Sequence, residues 1–280
     1  MKNVLEVLTS TAAYFQGKGI DNARLNIEHL LAHVLGKKSR MDLYLEFDRP
    51  LGPRELDALR DLVKRRGQGV PLQHLMGTVE FHGRVFLSDG RALIPRPETE
   101  HLVELLLKLT LPADARCVDV GTGSGVIALT LAAERPEARV QAVDRSPNAL
   151  NLARENAAKL ELSERVEFLQ GDLLAPCEGP FDLVAANLPY IPTGDIPTLS
   201  REVQHDPMMA LDGGAVGLDL VERCITEAAT KLAPGGRIAL EIGHDQAARV
   251  GELLTAAGFG QVEAMADFQA FDRFVFAVKP

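Results

Sequence analysis

Three glycines of the sequence form a loop that could bind a ligand through its backbone. Gly121, Gly123 and Gly125 directly follow a predicted strand and open a predicted helix, in the segment VDVGTGSGVIALTLA. Because glycine has no Cβ, such a loop can turn sharply and bring backbone N–H groups close to a ligand. Alone, the pattern is also typical of an ordinary structural turn.

Two acidic residues and one valine narrow the ligand class. A dinucleotide fingerprint has glycine or alanine directly after the third glycine, where this chain has Val126. Asp144 ends the next predicted strand, about 20 residues after the loop, where a carboxylate can accept hydrogen bonds from both ribose hydroxyls. Asp172 follows the third strand and could reach an adenine edge. Either acid could instead cap a helix, although Ser146 is a competent N-cap beside Asp144. The pattern favours an adenosine ligand without a pyrophosphate.

Asn187 ends a further predicted strand, and stiff residues follow it. The segment LVAANLPYIP places Asn187 after an apolar run, with Pro189 and Pro192 close behind. Asparagine and proline are also common in ordinary turns. Open α/β sheets bind ligands at the carboxyl ends of their strands. We therefore expect Asn187 to lie beside the glycine loop.

The elements that must position these residues fall into three segments. Residues 1–70 read as a helical domain, with Asp21 as an expected N-cap, a second helix from Pro53 and a solvated helix end at Lys64, Arg65 and Arg66. Residues 71–95 read as a β-hairpin linker. Residues 96–280 alternate strands and helices, which indicates an α/β fold with a mostly parallel sheet. The strands predicted from apolar runs are Cys117–Val120, Val140–Val143, Val166–Leu169, Leu183–Ala186 and Arg237–Ile242, followed by two more near the end of the chain.

Composition excludes several classes of protein. The 280 residues carry a formal charge of -9, which argues against a protein whose affinity comes from neutralising many phosphates. No secretory signal or membrane-spanning segment is expected, since the apolar windows are short and broken by charge. The three cysteines stand far apart without a C-x-x-C pair, which indicates a reducing compartment, by default the cytoplasm. His29 and His33 do not form a recognised zinc motif, so no metal is expected.

With these motifs in place, the chain resembles the class I S-adenosylmethionine-dependent methyltransferases. More narrowly, it resembles the PrmC/HemK family, the glutamine methyltransferases that modify peptide chain release factors. The resemblance covers nearly the whole chain, through IEHLLAHVLG, GVPLQHLMGTVEFHGRVF, LIPRPETEHLVE, DVGTGSG, AVDRSPNAL, NLPYIP, ALDGG and LAPGGRIALEIG. It implies a Rossmann-like sheet of seven strands, a small N-terminal helical domain that docks the substrate, and S-adenosylmethionine as cofactor without a metal.

The resemblance also implies roles for individual residues. Arg96 and Glu98 in PRPETE would border the protein substrate, and Asn187, Leu188, Pro189 and Tyr190 would hold the glutamine. Leu188 stands where the family has proline, His205-Asp206 where an aromatic residue and glutamate are usual, and Val216 where an aspartate is usual. The residues implied for the cofactor are Gly121, Thr122, Gly123, Ser124, Gly125, Asp144, Asp172, Leu173 and Asn187.

A glutamine amide would need help from such a site, because its nitrogen lone pair is delocalised into the carbonyl. Asn187 Oδ1 and the backbone carbonyl of Leu188 are consecutive acceptors that could hold both N–H hydrogens and aim the nitrogen at the methyl group. These hydrogen bonds would strengthen as positive charge develops on the nitrogen. Tyr190 could stack on the planar amide and exclude water.

The expected function is therefore methyl transfer to the glutamine of the Gly-Gly-Gln loop of bacterial peptide chain release factors. Methylation of a ribosomal protein's glutamine is an alternative. Adenine amino-methylation of nucleic acid uses a similar motif, but the acidic charge and the lack of a basic recognition domain disfavour it, so no direct sequence-specific contact with nucleic acid is expected. A non-catalytic module that binds adenosine ligands or a release factor is a further alternative.

Overall fold

The computed structural model describes residues 2–280, so the start of the predicted helical domain at residue 1 lies outside it. The chain divides into two compact units. One contains the residues up to Thr78 together with Ser200–His205, and the other contains Val79–Leu199 and Asp206–Pro280. The helices are α1 (Val4–Gly17), α2 (Ala23–Val34), α3 (Pro53–Gly67), α4 (Leu72–Met76), α5 (Pro97–Lys108), α6 (Val126–Glu134), α7 (Pro147–Lys159), α8 (Asp219–Lys231) and α9 (Ala247–Ala256). The strands are β1 (Thr78–Phe81), β2 (Arg84–Leu87), β3 (Arg116–Val120), β4 (Arg139–Asp144), β5 (Val166–Gln170), β6 (Phe181–Asn187), β7 (Leu232–Glu241), β8 (Gly260–Ala266) and β9 (Asp272–Val278). Short 3₁₀ turns lie at Arg40–Leu45, Ile196–Thr198, Val203–His205 and Met208–Ala210.

The helical unit packs α1, α2 and α3 around an apolar core of its own. Helix α1 starts in a reciprocal capping box, in which Asn3 and Glu6 each bond the other's backbone N–H. The predicted cap Asp21 is wrong, because the residue before α2 is Asn22 in a left-handed conformation (φ 49°) without a side-chain cap. Asparagine tolerates that conformation.

Arg66 contradicts the expectation of a solvated helix end. Helix α3 does begin at Pro53 and ends in three basic residues, as predicted. However, Arg66 is only 2% exposed: its Nε donates to Asn26 Oδ1 (2.6 Å), Nη1 donates to the Val70 carbonyl (3.2 Å), and Nη2 pairs with Glu202. A buried guanidinium is tolerated here because it has several acceptors.

The second unit is built on a seven-stranded sheet with the order β5-β4-β3-β6-β7-β9-β8. Strands β3 to β7 pair in parallel, and β9 runs antiparallel to both β7 and β8. Buried apolar clusters cover both faces of the sheet, as expected where helices connect parallel strands. The predicted α/β fold with a mostly parallel sheet is therefore confirmed.

The strand order indicates where this sheet can bind a ligand. The connections from β3 lead outward to β4 and β5 on one side, whereas β6 and β7 lie on the other side. The register sets Val120 level with Val143 and with Ala186, so the chain leaves β3, β4 and β6 at one edge. A crevice opens where strand order reverses in such sheets, and ligands bind there.

A two-stranded hairpin of β1 and β2 precedes the large sheet, within the segment predicted as a hairpin. Strand β7 starts at Leu232, earlier than the predicted Arg237, because Leu232 pairs with Phe181 before an irregularity in the register. None of the helices described for residues 2–280 is long and apolar enough to cross a membrane.

Replacing Arg66 with leucine should lower the free energy of unfolding by about 1–3 kcal/mol, because Asn26 and the Val70 carbonyl would lose their buried donor. The neighbouring Arg65, whose side chain is 47% exposed, provides the control, and Arg65→Leu should change stability by about 0.5 kcal/mol or less. Urea unfolding of both variants measures the difference. Equal stabilities would contradict a structural role for Arg66.

Candidate active site

The glycine loop between β3 and α6 requires the backbone freedom of glycine. Gly121, Gly123 and Gly125 all have positive φ angles, of 73°, 56° and 86°. The N–H groups of Gly121 and Thr122 both donate to the Val143 carbonyl, at 2.8 and 2.9 Å, which ties the loop to β4. Three left-handed residues within five positions give a tight turn that few other residue types could form.

Two of these glycines also make room for neighbours. A Cβ on Gly121 would lie 2.9 Å from Leu188 Cδ2, and a Cβ on Gly125 would lie 3.0 Å from Leu129 Cδ1. The Leu188 side chain is buried in the apolar cluster that covers one face of the sheet. Leucine is therefore accommodated at position 188 by the space above Gly121, and its side chain does not line the cavity described below.

Asp119 lies fully buried beneath the loop and was not among the residues expected at the site. Its Oδ2 accepts hydrogen bonds from Thr122 Oγ1 (2.6 Å) and from the Ala128 N–H (3.2 Å). Among residues 2–280, Oδ1 has no hydrogen-bond partner. Burial raises the pKa of Asp119 to about 7, against the effect of these hydrogen bonds. An acid inside the apolar strand VDV is the sequence signal that could have marked it.

Asp144 ends β4 next to the loop, as predicted. Its Oδ2 accepts from the Gly123 N–H (2.9 Å) and its Oδ1 from the Ser146 N–H (2.8 Å). Ser146 caps α7 by accepting from the Ala149 N–H, so Asp144 is not the helix cap. Burial raises the pKa of Asp144, opposed by hydrogen bonds from the backbone N–H groups of Ser146, Gly123 and Arg145. The carboxylate has about four lone-pair sites, so it retains acceptor capacity for a ligand hydroxyl.

A cavity of about 350 Å³ opens at this edge of the sheet, within the range of small-molecule sites. Apolar side chains such as Leu93, Val126 and Ile127 form part of its wall, and Ala92 and Met209 extend it. The predicted site residues on its lining are Arg96, Gly121, Thr122, Gly123, Ser124, Asp144, Asn187 and Pro189.

The remaining predicted residues lie off this lining. Asp172 pairs with Arg223 Nη2 at 2.6 Å, and Leu173 after it is buried with a positive φ of 49°. Gly125 faces α6 and α7 instead of the cavity. Glu98 and Tyr190 are partly buried and also lie off it. Their proposed contacts with ligands stay predictions.

Asn187 ends β6 with its side-chain amide in a defined orientation. Its Nδ2 donates to Thr99 Oγ1 of α5 at 2.9 Å. Within residues 2–280, no group donates a hydrogen bond to Asn187 Oδ1. One hydrogen of Nδ2 is engaged by Thr99, whereas Oδ1 keeps both lone pairs, so the side chain can still accept hydrogen bonds from a ligand in the cavity that Asn187 lines.

Glu241 lies beside Asn187 at the end of the neighbouring strand β7, where the two residues are register partners. It is 2% exposed, and burial raises its pKa to about 7. Burial together with the charge of Glu241 also raises the pKa of Tyr190 to about 12. Neither Glu241 nor Thr99 was expected at the site. The signals were present, as an acid that ends an apolar strand in IALEIG and as the threonine of PRPETE.

Arg96 reaches the cavity from the start of α5. Its Nη2 donates to Asp206 Oδ2 at 2.7 Å, and the Asp206 side chain is fully buried. Asp206 Oδ1 also accepts from the Ile94 N–H at 3.3 Å. The aspartate that replaces the usual glutamate of the resembled family thus holds both Arg96 and the segment before it.

Replacing Gly121 with alanine should lower the free energy of unfolding by about 2–4 kcal/mol, because it combines a left-handed backbone with the Leu188 contact. Gly123→Ala is the matched control, since its Cβ would meet no atom closer than 3.9 Å and only the backbone strain of about 1–2 kcal/mol applies. Urea unfolding measures both values. Equal losses would show that Leu188 yields without cost.

Replacing Asp119 with asparagine should remove a pH dependence of stability. Because the pKa of Asp119 rises on folding from its ordinary 3.8 to about 7, its contribution to stability is greatest below pH 3.8 and is lost as the pH rises to about 7. The free energy of unfolding of the wild type, relative to Asp119→Asn, should therefore fall across that window.

Urea unfolding at several pH values gives this comparison. The exposed Asp114 supplies the control, and Asp114→Asn should keep the pH profile of the wild type. Profiles of the wild type and Asp119→Asn that run parallel would contradict the raised pKa.

Comparisons with known proteins match both parts of the chain. The PrmC N-terminal domain family matches residues 6–77, and the methyltransferase small domain family matches residues 98–200. Among solved structures, the T. thermophilus 16S rRNA N2 G1207 methyltransferase (RsmC), in complex with AdoMet and guanosine, has a TM-score of 0.52 at 20% identity. That alignment covers 72% of this chain and 50% of that chain, and it shows the shared fold.

Relatives of known family extend over nearly the whole chain. The release factor glutamine methyltransferase of Deinococcus radiodurans is 43% identical over 273 residues, which covers 97% of each chain. The protein of the same name from Geobacter sulfurreducens is 42% identical over 274 residues, which covers 97% of this chain and 95% of that protein. The resemblance inferred from the motifs is confirmed, and the chain belongs to the release factor glutamine methyltransferase family.

Proposed function

We propose that the protein transfers the methyl group of S-adenosylmethionine to the side-chain amide nitrogen of the glutamine in the Gly-Gly-Gln loop of bacterial peptide chain release factors. The observation that carries this proposal is Asn187, which lines a cavity bordered by the glycine loop and Asp144 while Thr99 holds its side-chain nitrogen. The names of the relatives support the choice of substrate.

The lining of the cavity suits S-adenosylmethionine. The backbone hydrogen bonds to Asp144 leave its carboxylate with acceptor capacity for a ribose hydroxyl. Leu93 and Ile127 offer apolar surface for a base. The AdoMet complex of the T. thermophilus enzyme, which shares the fold, supports the same ligand. We also propose that Asp172 binds the adenine edge, although its carboxylate is paired with Arg223 in this structure.

When bound, S-adenosylmethionine would supply the methyl group: the S–CH₃ bond would break with its electron pair left on sulfur, giving S-adenosylhomocysteine, as the N–CH₃ bond formed, and the amide nitrogen would release one proton to water. The chain itself holds and aims the glutamine. Asn187 Oδ1 and the Leu188 carbonyl would accept the two N–H hydrogens, and these bonds strengthen as the nitrogen becomes positive. Pro189, which restricts the backbone of Leu188, keeps that second acceptor in place.

Positioning should contribute more than any single contact. Alignment of two reactants can be worth about 7–11 kcal/mol in favourable systems. One preorganised polar contact is worth about 2.7–4 kcal/mol, by analogy with oxyanion holes. The partly buried Tyr190, with its pKa raised to about 12, would remain neutral and could cover the planar amide.

The helical unit is proposed to dock the release factor. Its 3₁₀ turn Arg40–Leu45 exposes three large apolar side chains, Met41, Tyr44 and Leu45, with Leu45 87% exposed. Concentrated exposed apolar side chains are typical of protein interaction sites. We place the reaction in the cytoplasm, in keeping with the buried free thiols of Cys117, Cys177 and Cys224.

The test is to incubate the protein with methyl-labelled S-adenosylmethionine and, separately, a release factor, total ribosomal protein and DNA. We expect label on the release factor, at the glutamine of its Gly-Gly-Gln loop by mass spectrometry. Label on ribosomal protein or DNA alone would reject the proposed substrate. Cofactor binding without transfer to any of them would indicate a binding module.

Asn187→Ala should reduce the rate of transfer by about 10²–10³-fold, because one acceptor for the amide is lost. The exposed Asn151 of α7 provides the control, and Asn151→Ala should retain the wild-type rate. Label transfer to the release factor measures both variants, and thermal unfolding checks that both are folded. An Asn187→Ala rate within about threefold of wild type would remove Asn187 from its assigned role.

A further inference from the structure

We propose that Thr99 and Glu241 act as positioning residues that fix the orientation of the Asn187 amide, so that the cavity receives its oxygen and not its NH₂ group. The inference rests on the proposed function and deepens it, by stating what selects the acceptor for the substrate amide. Neither residue is required to touch the reacting atoms.

The geometry brings the three side chains together from three elements. Asn187 and Glu241 are register partners at the ends of adjacent parallel strands. Thr99 lies in the first turn of α5 and accepts from Asn187 Nδ2 at 2.9 Å. Thr99 and Glu241 are both buried, 4% and 2% exposed, so water has little access to either side chain.

The numbers of donors and acceptors in these three side chains determine which group donates to which. A threonine hydroxyl has one hydrogen to donate, and an ionised carboxylate can only accept. With its oxygen accepting from Asn187, the Thr99 hydroxyl keeps its one hydrogen for another acceptor, and we assign that acceptor to the Glu241 carboxyl in its ionised form. The Thr99 and Asn187 side chains both lower the pKa of Glu241, as expected of groups that present hydrogens to a carboxylate.

The opposite orientation of Asn187 is disfavoured by the same groups. With the Thr99 hydrogen donated to Glu241 as proposed, a flipped amide would place Oδ1 against the Thr99 oxygen, and two acceptors would then face each other. It would also present an NH₂ group to the cavity. A glutamine NH₂ is itself a donor that gains positive charge during transfer, so a donor at that position would oppose the reaction.

The surroundings of Glu241 are hard to explain by stability alone. Glu98 raises its pKa and Arg273 lowers it, but burial has the largest effect. Within residues 2–280, Glu241 Oε2 has no hydrogen-bond partner. A buried carboxyl with an unsatisfied oxygen costs free energy, and such costs are commonly found at functional sites. Its place beside Asn187 supplies the reason.

The test compares Glu241→Gln, Thr99→Val and Thr99→Ser in the full chain. Valine keeps the shape of threonine but lacks the hydroxyl, whereas serine keeps the hydroxyl. Glutamine at 241 keeps the size of the side chain but offers an NH₂ group that could stabilise the flipped amide. Glu263→Gln, at an exposed glutamate of β8, is the control for the same chemical change.

We expect Glu241→Gln and Thr99→Val to lower kcat for methylation of the release factor by about 10–100-fold, as for other outer groups that orient a functional side chain. Cofactor Kd should change by less than about threefold for Glu241→Gln, since that side chain does not line the cavity. Thr99→Ser should restore most of the rate lost in Thr99→Val. A general loss of structure would not be reversed by serine.

A second measurement is independent of activity. The side-chain NH₂ resonances of Asn187, assigned by their loss in Asn187→Asp, should shift in Thr99→Val and in Glu241→Gln but not in Glu263→Gln. Unchanged resonances together with kcat values within about twofold of wild type would overturn the proposal. A wild-type protein that binds cofactor but methylates no release factor would instead overturn the proposed function, while the resonances would still report on the orientation of Asn187.

Discussion

The parallel register of β3, β4, β6 and β7 is the constraint on which the site depends. Because Val120, Val143 and Ala186 lie level across the sheet, the glycine loop, Asp144 and Asn187 emerge at one edge although they are distant in sequence. The same register sets Glu241 beside Asn187. A slip of one residue in any of these strands would reverse the facing of its side chains and separate the groups.

Two buried carboxyls support this edge from below. Asp119 holds the glycine loop through Thr122 and the Ala128 N–H, and Glu241 lies beside the side chain of Asn187. Burial raises the pKa of each to about 7. Each buried carboxyl costs free energy. Asp119 lies under the loop that we assign to the cofactor, and Glu241 lies beside Asn187, which we assign to the glutamine.

The fold could be predicted from the sequence because its signals are local. Apolar runs of strand length, interrupted by glycine loops and helix caps, determine the βα alternation without reference to distant residues. Ser146 and Pro53 were reliable for the same reason, since a cap or a first-turn proline acts on its own helix. The prediction of Asp21 as a cap fails, because the residue before α2 is Asn22 in a left-handed conformation, and no signal in the neighbouring sequence indicates that conformation.

The supporting residues of the site could not be predicted in this way. Thr99 and Arg66 take their roles from partners far away in the sequence, Asn187 and Glu202 respectively, and a basic helix end or a threonine near a helix start has an adequate local explanation. Glu241 stands at the end of an apolar strand, but its partner is known only once β7 is placed beside β6. Tertiary contact decides these roles.

The contact between Leu188 and Gly121 has a consequence for how this pair of positions can vary among related chains. A side chain at 121 is disfavoured twice, by the left-handed backbone and by the methyl group of Leu188. A smaller residue at 188 would remove the second effect and leave the first. The constraint therefore acts in one direction. Residues other than leucine can stand at position 188 while glycine stays at 121, but no replacement at 188 removes the strain that a side chain at 121 would meet in the left-handed backbone.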